Sequence, residues 1–214
     1  IVGEHFMETY GIPVENIGVV TGPCHAEEVA MERLSYLTIA CSDSEKAEMI
    51  SKCLKSRYIK TKLSDDIIGT EYAAMLKNIY AIAAGIAHGL GYGDNFQSVL
   101  MSNAIREMNR YIKKVHNMKR DINNSAYLGD LLVTGYSLFS RNRTFGTMLG
   151  KGYSIASALM EMEMIAEGYY ATESIHKLND NYHIHMPILE FVYQVIYGTF
   201  DVEGEAKKLT LLLN

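Results

Sequence analysis

Cysteine, positive charge and nucleotide-binding glycine turns are what this sequence is short of. Its three cysteines, Cys24, Cys41 and Cys53, form an odd set with no CxxC spacing. That excludes a disulfide framework and a zinc site, and predicts reduced thiols in a cytoplasmic protein without a bound metal. With a net charge of -5, nothing draws the chain to nucleic acid or to an acidic membrane by bulk attraction. No Gly-x-Gly-x-x-Gly turn occurs anywhere in the 214 residues, so the usual cradle for dinucleotide phosphates is missing. Internal repeats and low-complexity linkers are missing too. The segment that starts at Ile1 carries no signal-peptide pattern and the last segment no lipidation motif. Because the chain enters directly what reads as a helix, the expectation is a piece of something longer. What remains is 48% hydrophobic and 21% charged, ordinary for a globular protein and long enough for one large or two modest domains.

Residues 1–66 read as alternating strands and helices. Ile17 to Val20 is a short apolar run closed by Thr21-Gly22-Pro23, a buried strand and its turn. Leu34 to Ala40 is a second strand and Tyr58 to Leu63 a third, weaker one. Between them Ser42-Asp43-Ser44-Glu45 offers an N-cap and an acidic first turn for a helix through about Leu54. This βαβ-like content fits part of a doubly wound sheet. From residue 67 onward the periodicity is helical, with glycine breaks and one proline, Pro187. Helices are expected over 67–90, 94–116, 125–134, 143–149, 153–166, 169–179, 187–197 and 201–212. The fold class is therefore mainly α: an all-α domain, 67–214, packed on a remnant of an α/β Rossmann-like domain, 1–66.

Between Tyr72 and Gly93 the only formal charge is Lys77. Ile68, Leu76, Ile79, Ile86 and Leu90 recur at helical spacing as the packed side. Ala73, Ala74, Ala81 and Ala84 lie three, four or seven positions from Lys77, so a ligand or a second backbone could approach its face closely. Two readings of Lys77 stay open: a stem lying on apolar surface with its ammonium in water, or an amine that loses its charge cheaply and carries protons. A membrane span is rejected, because the run is broken by Gly85, Gly89, Gly91 and Gly93 and is richer in Ala than Leu.

Three further clusters carry chemistry. Gly91-Tyr92-Gly93-Asp94-Asn95 is a glycine turn with a capping Asp or Asn, either a helix-to-helix connection or part of a site. Asp130 and Thr134 share a helix face, an acceptor and a hydroxyl suited to a polyol, or simply a first-turn acid favoured by the helix dipole. Ser140-Arg141-Asn142-Arg143, followed by Phe145-Gly146, is rich in hydrogen-bond donors, and arginine forks match phosphate oxygens. It reads as an anion site, with a solvated basic loop as the alternative. An amine, groups for hydroxyls and a phosphate site together suit proton transfer on a small phosphorylated sugar-like molecule.

Leu76-Lys77-Asn78 running through Ala83-Ala84-Gly85-Ile86, Gly89-Leu90-Gly91 and Gly93-Asp94-Asn95 resembles the NAD(P)-dependent glycerol-3-phosphate dehydrogenase family. So do Gly129-Asp130-Leu131 with Thr134, Ser140-Arg141-Asn142-Arg143 with Phe145-Gly146, Ala166-Glu167-Gly168, and Gly22-Pro23 with Ala26-Glu27-Glu28-Val29-Ala30. The resemblance implies an oxidoreductase that interconverts sn-glycerol 3-phosphate and dihydroxyacetone phosphate with NAD or NADP, feeding glycerophospholipid synthesis. It implies that Lys77 is the catalytic base on the C2 hydroxyl, or in reverse the acid on the carbonyl. Asp130 would bind substrate with Thr134 in the same pocket, and Ser140, Arg141 and Asn142 would hold its phosphate. Gly22 and Cys24 would line the substrate site, and Ala26, Arg141, Ile165 and Glu167 would meet the cofactor. The partners expected are a small phosphorylated substrate, no nucleic acid and no stable membrane insertion; a homodimer is left open.

Departures from the family pattern are also legible. Cys24-His25 stands where the family shows Ser-Phe, which replaces a hydroxyl by a weak thiol donor. Val115 to Asn124 is more charged and polar than expected. The glycine turn of the first βαβ units is absent, with a second lysine carried on them, so the chain by itself is expected not to turn over. Competing readings are a related hydroxy-acid dehydrogenase, since arginine binds carboxylate as well as phosphate, and a non-catalytic helical module for oligomerisation or binding.

Overall fold

The computed structural model describes residues 1–198 and 200–214. A three-stranded sheet holds β1 (Gly18–Thr21), β2 (Ser35–Cys41) and β3 (Ile59–Ser64) in the order β1-β2-β3. Strand β2 pairs parallel with β3, Ser35 opposite Ile59 and Ala40 opposite Ser64. It pairs antiparallel with β1, Gly18 opposite Cys41. Only β2 and β3 therefore form the expected parallel βαβ unit; β1 arrives from the other direction. Period-two alternation in β2 gives each face its own core. Ile39 and Cys41 pack with Ala47, Ile50 and Leu54, whereas Ala40 packs with Ile17, Ile67 and Met7.

By its contacts the chain divides into two units: residues 1–74 with 116–130, and residues 75–115 with 131–214. In the first unit, helix α1 (Val2–Tyr10) stops at Gly11, whose φ of 64° is left-handed. Short helix α2 (Ala26–Ala30) joins β1 to β2, and α3 (Ser44–Leu54) is the crossover. Asp43 caps α3, accepting from the Glu45 and Lys46 amides at 3.0 and 3.1 Å. Helix α4 (Ile67–Gly89) opens in this unit, where Asp66 Oδ1 accepts from Gly69 N at 3.0 Å.

The second unit is helical: the body of α4, then α5 (Asp94–Val115), α6 (Asp130–Tyr136, from Leu131), α7 (Arg141–Gly150), α8 (Ile155–Glu161), α9 (Glu167–Asn179), α10 (Pro187–Tyr197) and α11 (Val202–Leu212). Helix α4 is its axis. Residues 79–87 are buried on every side, so α4 is not one-faced. Leu76, Ile79 and Ile86 are fully buried as the spacing predicts, but so are Ala81 and Ala84, while Ile68 and Leu90 are only half-buried. The alanine side thus faces packed protein. No helix among the described residues is long and apolar enough to cross a membrane.

Several boundaries differ from the sequence pattern for physical reasons. The helix expected at 125–134 is a π-helical turn, Ser125–Gly129, followed by α6. The one expected from 143 starts two residues earlier, because Ser140 Oγ accepts from Arg143 N at 3.3 Å and is the N-cap. The one expected over 153–166 ends at Glu161. Residues 162–166 instead leave the helix through an extended Met162 and a bend at 163–164 to the cap of α9, where Arg141 donates to Ile165 O and the Gly168 amide to Asn142 Oδ1.

Candidate functional site

In the first unit the candidate residues gather around one carboxylate. Asp130 opens α6 and is 2% exposed. Its Oδ2 accepts from Thr21 Oγ1 at 3.1 Å and from Gly22 N at 3.2 Å. Gly22 has φ 127°, and a Cβ there would stand 2.6 Å from Tyr36 O, so the turn after β1 needs glycine. Cys24 follows on the same turn. Burial raises its thiol pKa, a hydrogen bond with Ser35 opposes this, and the charges of Asp130 and Glu28 raise it further. The thiol is thus a protonated group beside Asp130, not an activated nucleophile. Ala26, expected at the cofactor, is the exposed first residue of α2. Gly22, Cys24 and Asp130 therefore share one corner.

In the second unit a chain of polar contacts runs across three helices. Lys77 is half-buried on α4. Its neighbour Asn78 donates through Nδ2 to Glu167 Oε2 at 3.3 Å, and Glu167 Oε1 lies 3.7 Å from Arg141 Nη2. Arg141 Nη1 also donates to Ile165 O at 3.5 Å. The Glu167 side chain is largely exposed and that of Arg141 partly so, so the pair is weak and an incoming anion can exchange for the carboxylate. Ser140 and Asn142 are buried. Asn142 Oδ1 accepts from Gly168 N at 2.8 Å and so caps α9, which leaves its amide donor for other use. Thr134 is buried one turn along α6 from Asp130. Ser140, Arg141 and Asn142 are the cap and first two residues of α7, where free amides and the helix dipole favour an anion. The expected anion loop is a helix start.

Sequence reasoning missed what holds α7 against α4. Gly85 and Gly89 on α4 face Gly146 and Gly150 on α7. A Cβ on Gly85 would overlap Arg143 O, and one on Gly146 would overlap Ile82 O. Gly168 of α9 is tight as well, a Cβ there standing 2.7 Å from Asn78 O. The Gly-x-x-x-Gly spacings at Gly85–Gly89 and Gly146–Gly150 were the available signal. Asp66, Arg120 and Tyr127, which form a buried network in the first unit, were not singled out either.

The start of α3 is not built as a dinucleotide-phosphate cradle. In the parallel crossover β2-α3-β3, the amides at the start of α3 are already taken by the Asp43 side chain, so no diphosphate cradle is offered there. Among the described residues no group of three or more His, Cys, Asp or Glu could hold a metal ion.

Residues 66–206 match the family model described as NAD-dependent glycerol-3-phosphate dehydrogenase C-terminus. The chain belongs to this family. It is 39% identical over 193 residues to a glycerol-3-phosphate dehydrogenase [NAD(P)+] of Exiguobacterium sp., covering 90% of this chain and 57% of that one. It is 36% identical to the enzyme of the same name from Macrococcus caseolyticus, covering 91% and 59%. The glycerol-3-phosphate dehydrogenase structure from Coxiella burnetii superposes with a TM-score of 0.87 at 30% identity, over 90% of this chain and 59% of that one. A Dunaliella salina structure shares the fold, with a TM-score of 0.88 at 22% identity. The chain thus spans less than two thirds of the length of the relatives it matches, and the family model covers most of its helical part, starting at Asp66.

Proposed function

We propose that the polypeptide carrying this chain interconverts sn-glycerol 3-phosphate and dihydroxyacetone phosphate with NAD or NADP, in the cytoplasm, feeding glycerophospholipid synthesis. On this reading residues 1–66 are the tail of the NAD(P)-binding domain and residues 67–214 the substrate domain. One observation carries it. Within a single unit, Lys77 sits next to Asn78, which Glu167 links to Arg141 at the start of α7. The residue next to Lys77 on α4 and the start of α7 are thereby joined by two contacts.

The roles follow from chemistry. The α7 start and the Arg141 guanidinium hold the substrate phosphate, with Ser140 and Asn142 fixing the local backbone. Lys77 takes the proton of the C2 hydroxyl, or returns it to the carbonyl oxygen in the reverse direction. Asp130 and Thr134, with Gly22 and Cys24, accept or donate to substrate oxygens. Ala26, Ile165 and Glu167 line the cofactor side. When bound, the nicotinamide exchanges the hydride; the residues here bind, orient and move the proton.

The test is Lys77→Ala in the full-length polypeptide, assayed by NADH oxidation with dihydroxyacetone phosphate. Loss of general acid–base help lowers kcat by about 100-fold or more. A variant at the unaltered rate removes Lys77 from the mechanism.

A further inference from the structure

Asp66, buried just before α4, is the hub of a network within the first unit. Its Oδ1 caps Gly69 N at 3.0 Å. Arg120 reaches it with both prongs of the guanidinium, Nε to Oδ2 at 2.7 Å and Nη2 to Oδ1 at 3.1 Å. Tyr127 donates its hydroxyl to Oδ2 at 2.5 Å, and His116 Nδ1 lies 3.3 Å from Oδ1. Arg120 Nη1 also donates to His116 O. One carboxylate thus gathers three residues of the segment 116–127. That segment ends, three residues on, at Asp130.

Between Tyr127 and Asp130 the path is tight. The π-helical turn is closed by Leu128 N to Ile122 O at 3.3 Å and by Gly129 N to Asn124 O at 3.4 Å. Asp130 is then held from the other side by Thr21 and Gly22. A buried ion pair is a poor source of net stability, since apolar replacements often do as well. Its strength is fixing geometry, through a rigid bidentate fork. Asp66 already has a local partner in Gly69; its bonds to Arg120 and Tyr127 serve the distant segment. Burial and the Asp66 carboxylate raise the Tyr127 phenol pKa, so it remains a donor at all working pH values.

We propose that Tyr127 and Arg120, acting through Asp66, are positioning residues that set where Asp130 presents its carboxylate to the substrate. This rests on the reading of Asp130 as a substrate-binding acid. Neither touches substrate. They fix the turn from which Asp130 projects.

The experiment is steady-state kinetics of the full-length enzyme with Tyr127→Phe, Asp130→Asn and the double variant. Tyr127→Phe keeps the buried ring and removes one donor. The expected result is a KM for sn-glycerol 3-phosphate raised about 5- to 20-fold with kcat within about twofold, part of the worth of one hydrogen bond to a charged group, since the bond lost acts on substrate only through Asp130. In the Asp130→Asn background the same change has no further effect on KM, because both act at one point. A purely structural role would lower the active fraction, hence apparent kcat, and leave KM alone. A raised KM in Asp130→Asn with an unchanged KM in Tyr127→Phe overturns this proposal alone. An unchanged KM in Asp130→Asn overturns the assignment of Asp130 and this proposal with it. Should Tyr127→Phe fail to fold, Arg120→Lys keeps the charge and loses the fork, and the same KM rise, absent in the Asp130→Asn background, is required.

Discussion

Gly85 of α4 and Arg143 of α7 meet backbone to backbone, so closely that a Cβ on Gly85 would overlap the Arg143 carbonyl oxygen. The contact is reciprocal one turn away, where Gly146 faces Ile82 O, and again where a Cβ on Gly89 would stand 2.5 Å from Thr147 O. Backbone cannot yield as a flexible side chain can, so either helix must move if a methyl is added. Gly85→Ala or Gly146→Ala is expected to lose about 2 kcal/mol of stability, even after the helix-propensity gain of about 1 kcal/mol. Gly93→Ala is the control: nothing lies within 4 Å of a Cβ there, and its stability should change by less than about 0.5 kcal/mol. Urea titrations of the three variants check this. Equal midpoints would mean that α4 and α7 are not locked by glycine.

This lock explains which parts of the site could be read from sequence. Lys77 stood out because charge is scarce around it, and the strands because short apolar runs end at turn residues. Ser140-Arg141-Asn142-Arg143 was legible as chemistry but not as structure: four polar residues look like a loop until Ser140 is seen to cap α7. The glycine pairs lie on helices about 60 positions apart in sequence, and Asp66 and Arg120 are separated by 54. Pattern within a window cannot see such partners. Residues 162–166 carry helical periodicity, yet the Ile165 carbonyl accepts from Arg141 and the Ala166 carbonyl from Tyr169 N at the start of α9; tertiary bonds outweigh local propensity there.

Arg141 separates a fork from a point charge. A guanidinium can hold two phosphate oxygens at once, whereas an ammonium supplies one strong contact. In the full-length enzyme Arg141→Ala is expected to raise KM for the phosphorylated substrate by about 10- to 100-fold, and Arg141→Lys to recover part of the loss. The measurement is KM for dihydroxyacetone phosphate at saturating NADH. An unaltered KM in Arg141→Ala would move the phosphate elsewhere.

Glu107 gives the helical unit a pH dependence of its own. It is fully buried on α5, and its two oxygens accept from Ile188 N and Leu189 N at 3.0 Å each, closing the start of α10. Burial pushes its carboxyl from 4.5 up to about 7, against the two amides, Arg110 and Tyr80, which pull it down. The folded state therefore holds a proton that the unfolded chain releases at lower pH. Stability contributed by this proton is complete below about pH 4.5, falls as pH rises, and is gone above about pH 7, a change of about 3 kcal/mol. Glu107→Gln cannot titrate and should lose this slope. Denaturant midpoints of both proteins between pH 5 and 8 decide it, and parallel curves would show that Glu107 does not titrate there.

The 214-residue chain alone should bind an anion but not turn over. In the parallel crossover β2-α3-β3 the Glu45 and Lys46 amides that would meet a dinucleotide diphosphate are held by Asp43. The α7 start, by contrast, lies wholly in the helical unit, and the phosphate subsite proposed there is built from Ser140, Arg141 and Asn142 of that unit. Inorganic phosphate is therefore expected to bind the isolated chain with a Kd of about 1 mM, about 4 kcal/mol, as read by amide shifts at Ser140 to Arg143 in NMR titration. Arg141→Ala should abolish those shifts. In the coupled assay with NADH and dihydroxyacetone phosphate the same chain should show no rate above background, and a normal rate would mean that the cofactor can be held without a glycine-rich turn.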